Sequence, residues 1–78
     1  MGYTIRRLIS ANGMLIDDST RTKSAEDAVE AARRLAGIFE SVINDDFERK
    51  VMMMDPGEVV KLRKPSIKLT IHVRRTKK

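Results

Sequence analysis

SAEDAVEAARRLAGIFESVIN, residues Ser24 to Asn44, is the stretch on which the fold turns. Ser24 is a good helix N-cap, and Glu26 and Asp27 follow in the first turn, where the positive end of the helix dipole favours acids. At about 100° per residue, Ala25, Ala28, Val29, Ala31, Ala32, Leu35, Ala36, Ile38, Phe39, Val42 and Ile43 fill one arc of roughly 180°. Glu26, Asp27, Glu30, Arg33, Arg34, Gly37, Glu40 and Ser41 fill the other half. The pattern predicts one long amphipathic helix from Ala25 to Ile43, with Asn44 as a left-handed C-terminal cap. Packing on a single sheet takes a stripe of only about 100° or somewhat more. The surplus predicts either a sheet that curls around the helix or a second surface over it, such as a partner chain.

On the N-terminal side, Tyr3 to Ala11 is rich in β-branched and aromatic residues and runs into Asn12-Gly13, the preferred pair for a type I′ hairpin turn. That turn sets Ala11 opposite Met14, Ile9 opposite Ile16 and Arg7 opposite Asp18, the last as a cross-strand ion pair. One face then carries Tyr3, Ile5, Ile9, Ala11, Met14 and Ile16. The other carries Thr4, Arg6, Ser10, Asp17 and Ser19, with Leu8 and Leu15 as exceptions.

On the C-terminal side, Phe47 to Met54 reads as a strand, Asp55-Pro56-Gly57-Glu58 as a type II turn, and Val59 to Arg63 as a short strand interrupted by Lys64-Pro65. Ser66 to Arg74 alternates cleanly, with Ile67, Leu69, Ile71 and Val73 inward and Lys68, Thr70, His72 and Arg74 outward. Phe47–Met54 has two possible partners, Val59–Arg63 or Ser66–Arg74. The order is β-β-α-β-β, with room for a fifth strand: an α+β fold of two layers, an antiparallel sheet with one long helix on one face. Residues 1–74 form one domain, and 75–78 form a basic tail with no apolar group to anchor it.

The chain has 78 residues, a net charge of +5 and no Cys, so disulfides and thiolate metal sites are excluded. The longest apolar run, Val51 to Met54, falls far short of the ~20 residues of a membrane-spanning helix, and no secretory pattern opens the chain. No membrane partner and a cytoplasmic setting are expected. A core this small supplies only about 3–5 kcal/mol, so outside support is expected. Together with the wide helix arc and the run Met52-Met53-Met54, this points to a homodimer. Its contact is expected to be centred on Val29, Ala36 and Ile38, or on Met52 and Met54.

The charge is unevenly spread. Residues 1–60 hold 8 basic and 11 acidic groups, whereas 61–78 hold 8 basic and none acidic. The candidate binding residues are Lys61, Arg63, Lys64, Lys68, His72, Arg74, Arg75, Lys77 and Lys78. Spaced at ~6.8 Å along one strand face, such cations suit nucleic-acid phosphates. The competing reading is a solvated face that also blocks edge-to-edge aggregation. Tyr3, Phe39 and Phe47 are the only rings, and none falls in Ser66–Arg74, so base stacking is not expected.

His72 is the only His, which leaves a transition-metal site without partners. Glu48-Arg49-Lys50 superficially echoes half of a nuclease motif, but no nucleophile–base pair or phosphate loop can be assembled. Neither an enzyme nor a cofactor is expected. The sequence thus predicts a non-enzymatic basic module that binds a nucleic-acid backbone. Its rival is a small regulator or inhibitor, of the accessory kind carried by phages and plasmids. That protein would dock on an acidic or nucleic-acid-binding surface of a larger one.

Overall fold

The hairpin forms in the register its turn dictates. In the computed structural model, which describes residues 2–11 and 13–77, β1 (Tyr3–Ala11) pairs antiparallel with β2 (Met14–Thr22). Ala11 lies opposite Met14, Ile9 opposite Ile16 and Arg7 opposite Asp18. Asn12 lies outside the described residues; Gly13 has the positive φ, 78°, that the turn requires.

Ser24 accepts a hydrogen bond from the Asp27 amide at 3.1 Å and starts α1 (Ala25–Ala36). The helix does not run unbroken to Ile43. Gly37 takes φ 60°, a conformation that side-chain-bearing residues rarely adopt, and its amide closes back on the carbonyls of Arg33 and Arg34. The chain tightens there into a 3₁₀ segment, Gly37–Val42.

Phe47–Met54 is not a strand. It belongs to a second helix, α2 (Asp45–Met52), and Asn44 is that helix's N-cap rather than the first helix's C-cap. The Asn44 side chain accepts from the Phe47 amide at 3.0 Å. Asp45, Asp46 and Glu48 fall in the first turn of α2, where the dipole favours them. Phe47, Val51 and Met54 lie at i, i+4 and i+7 and all join the core.

The apolar arc from Ala25 to Ile43 is therefore covered from within the chain, Ile38 excepted. One flank meets the sheet and the other meets α2, with Arg33 of α1 bonded to Glu48 of α2 at 3.1 Å. This weakens one ground for expecting a dimer, the wide arc, while Met52 and Met53 of the methionine run stay exposed. Val29, Ala36 and Met54 are buried inside a single chain and cannot meet a second copy. Ile38, at 91% exposure, and Met52 remain on the surface.

Turn Asp55–Glu58, with Gly57 at φ 88° and the Glu58 amide bonded to the Asp55 carbonyl at 3.0 Å, leads into β3 (Val59–Lys64). Pro65–Ile67 forms a single 3₁₀ turn, Lys68 follows in the left-handed region at φ 52°, and β4 (Leu69–Arg75) returns along β3. Neither pairing considered for Phe47–Met54 occurs, because β3 and β4 pair with each other. Lys68 sits in the connecting turn, not in the outward row of the strand. Among the described residues there is no fifth strand: the antiparallel sheet has the order β2-β1-β4-β3.

Nor does a free tail begin at residue 75. Arg75 completes β4: its amide donates to the Glu58 carbonyl at 3.1 Å, and its carbonyl accepts from the Gly57 amide at 2.8 Å. Its guanidinium lies 5.8 Å from the Tyr3 ring centre and bonds to the Met54 carbonyl. The Thr76 amide then donates to the Gly2 carbonyl at 2.9 Å.

The fold is thus α+β in two layers. Ile5, Leu69, Ile71 and Val73 face the helices and are fully buried. Arg7, also on this face, donates to the Leu35 carbonyl at 2.7 Å and pairs with Asp18, tying the hairpin to the end of α1. Among the described residues, no helix lies on the opposite face of the sheet.

Candidate nucleic-acid interface

Strand alternation decides which charges reach the open face. With Ile5, Ile71 and Val73 turned to the core, their neighbours in each strand must turn away. Register then lines these up in rows across the four strands. Arg21, Thr4, Arg74 and Val59 form one row; Ser19, Arg6, His72 and Lys61 the next; Asp17, Leu8, Thr70 and Arg63 a third. Five of these twelve residues are Arg or Lys, and one is acidic.

That acid is masked. Asp17 accepts from Arg6 at 2.9 and 2.6 Å, and these hydrogen bonds hold its carboxyl below the ordinary range while raising the Arg6 guanidinium.

Three shallow depressions follow the β3–β4 hairpin from its turn to its open end. The first, about 290 Å³, is lined by Arg63, Lys64 and Lys68 together with Ser10, Pro65, Leu69 and Thr70. The second, about 610 Å³, lies mid-face and contains Arg6, Lys61, His72 and Arg74 with Thr4, Ser19, Val59 and the masked Asp17. The third, about 360 Å³, gathers Arg21, Arg74, Arg75 and Lys77 around Thr4, Gly57 and Thr76. At ~3.4 Å per residue, the seven residues of β4 make this track roughly 24 Å long.

Eight of the nine candidate binding residues line the track: Lys61, Arg63, Lys64, Lys68, His72, Arg74, Arg75 and Lys77. Lys78 lies outside the described residues. Arg75 lines it too, but its guanidinium is committed to Tyr3 and Met54. Arg6 and Arg21 belong to the same surface and were absent from the sequence-derived set. The hairpin alternation already turned Arg6 outward. What it could not show was that β1 lies beside β4, which brings the N-terminal arginines next to the C-terminal lysines.

The helical layer has the opposite sign. Residues 24–58 hold nine acids and four bases, while the remaining segments hold two acids and twelve bases. The molecule is electrically two-sided, with the positive side being the one no helix covers.

The open face has no aromatic side chain: Tyr3 is buried on the helical side, Phe47 lies in the core and Phe39 packs against it. Among the described residues no group of His, Asp and Glu could hold a metal ion, and no helix is long and apolar enough to cross a membrane. Comparison of the chain with protein-family models, with curated proteins and with solved structures returns no match.

Proposed function

We propose that the protein is a non-enzymatic module that binds a nucleic-acid backbone along the open face of its sheet. The observation that carries this reading is the track itself. Three adjoining depressions follow one hairpin, each lined by at least three bases, and their single carboxylate is already neutralised by Arg6. Phosphates along one strand recur every ~3.4 Å of duplex axis, so a track of roughly 24 Å can meet several at once. With no ring on the face, recognition rests on phosphates rather than on stacked bases, and sequence preference is weak. The acidic helical layer favours approach with the sheet leading.

The test is fluorescence polarisation with generic single-stranded and duplex oligonucleotides at about 50 and 200 mM salt. About five phosphate contacts give a slope of log K on log salt near −4.5 for duplex and −3.5 for single strands. That is a loss of roughly a hundredfold or more over this range. Absence of binding at 50 mM salt overturns the reading and favours the rival, a regulator that uses the same cations on an acidic protein surface.

A further inference from the structure

The middle depression has one member unlike the rest. His72 stands directly between two cations, Arg6 across the β1–β4 ladder and Lys61 across the β3–β4 ladder, with Arg74 two residues along its own strand. Directly opposed side chains in an antiparallel sheet lie about 4.5–5.5 Å apart at Cβ, close enough for like charges to repel. Among the described residues the one carboxylate lining this hollow, Asp17 on β2, is engaged by Arg6. The free protein therefore gives an imidazolium at this position two flanking repulsions and no counterion. The Thr4 and Ser19 hydroxyls line the same hollow.

We propose that this hollow is the seat of one phosphate group of the bound backbone, and that His72 takes up a proton from solvent when the phosphate enters. The phosphate supplies the counterion that the row lacks. Its single negative charge offsets the repulsion from Lys61 and Arg6, and the newly charged imidazole donates to it. Burial, followed by Lys61 and Arg6, holds His72 below its ordinary value of 6.5 in the free protein, so the imidazole starts neutral at neutral pH. Asp17 stays ionised through the same range, because Arg6 holds it low. The proposal rests on the nucleic-acid reading above and adds to it a specific coupling: binding is linked to one proton.

His72 is the only histidine, so its imidazole resonance can be assigned without ambiguity. The experiment follows that resonance by NMR from pH 8 to pH 5, free and saturated with a 12-residue oligothymidylate at low salt. Affinity of wild type and His72→Gln is measured over the same range. The midpoint is expected to rise by one unit or more on saturation. Affinity is then expected to rise about tenfold per unit of that shift as pH falls, since one unit of pKa is one decade of linked affinity. In His72→Gln the affinity is expected to be flat.

An unmoved midpoint with intact binding overturns the phosphate seat and leaves the nucleic-acid reading standing. So does an equal pH dependence in His72→Gln. Absence of binding at every pH overturns both. The wild-type titration needs no variant, so the test survives a poorly folding mutant.

Discussion

Arg6 and Asp17 face each other diagonally across the β1–β2 ladder and share two hydrogen bonds, which cancels the one negative charge among the open-face strand residues. Asp17→Asn is therefore expected to strengthen nucleic-acid binding. It frees a guanidinium, and the salt slope should steepen by about 0.9, the value of one further phosphate contact. Polarisation across a salt series checks this. The pair is exposed at the surface, so the unfolding midpoint should barely move.

Lys61 and Arg74 project from the open face on neighbouring strands and support nothing beneath them. Lys61→Ala with Arg74→Ala should leave the circular-dichroism spectrum unchanged and flatten the salt slope by about 2. The matching pair on the acidic side, Arg49→Ala with Lys50→Ala, should leave the slope unchanged. Equal losses from both pairs would show that the sheet face is not the contact.

Lys68 separates structure from binding. Its left-handed backbone, φ 52°, costs a residue with a Cβ about 1–2 kcal/mol, part of which glycine returns as chain entropy. Lys68→Gly should raise stability by about 0.5 kcal/mol while flattening the salt slope by about 1. Urea unfolding and polarisation on the same preparation test the two halves.

The C-terminal residues carry stability as well as charge. A chain cut after Arg74 loses the Arg75 bonds to Gly57 and Glu58 and the Thr76 bond to Gly2. At about 1 kcal/mol for each hydrogen bond, the cost should be roughly 2–4 kcal/mol. A chain cut after Thr76 keeps all of them and should unfold within about 0.5 kcal/mol of the intact protein. Thermal denaturation of the two truncations decides.

His72 also sets the sign of a stability effect. Its folded pKa lies below the unfolded value of 6.5, so the unfolded chain takes up the proton first as pH falls. The histidine contribution is fully present above 6.5 and is lost as pH drops through that value toward the folded one. Denaturation between pH 8 and pH 5 should show this loss in wild type and not in His72→Gln. In the same window, nucleic-acid affinity should move the opposite way.

Local signals were legible and distant ones were not. Asn12-Gly13 and the flanking alternation were enough to specify the register of β1 and β2, because a two-residue turn leaves no freedom. The first helix is legible to Ala36, but Gly37 fits the polar face of the periodic pattern as well as it fits a helix stop. The second helix was misread because Asn44 suits both the end of one helix and the start of the next. The spacing of Phe47, Val51 and Met54, with acids ahead of Arg49 and Lys50, was the helical signal present. The basic residues from Lys61 to Lys77 were legible as a cluster from charge alone. Their joining to Arg6 and Arg21 was not, because it depends on β1 meeting β4 across more than sixty residues of chain.

The order β2-β1-β4-β3 also constrains how the molecule can be made. Strand β4, the last of the four to be synthesised, lies in the interior of the sheet, hydrogen-bonded to β1 on one side and β3 on the other. Until residues 69–75 have left the ribosome, the N-terminal hairpin and β3 have no shared partner. Leu69, Ile71 and Val73, three buried residues beneath the helices, are also still missing. A two-stranded hairpin alone is marginal in water. The sheet therefore closes only after β4 is made, in a step dominated by contacts between strands distant in sequence. Such high contact order makes that step slow. During this interval Tyr3 and Ile5 on the unfinished hairpin, which the complete fold buries, are open to chaperones.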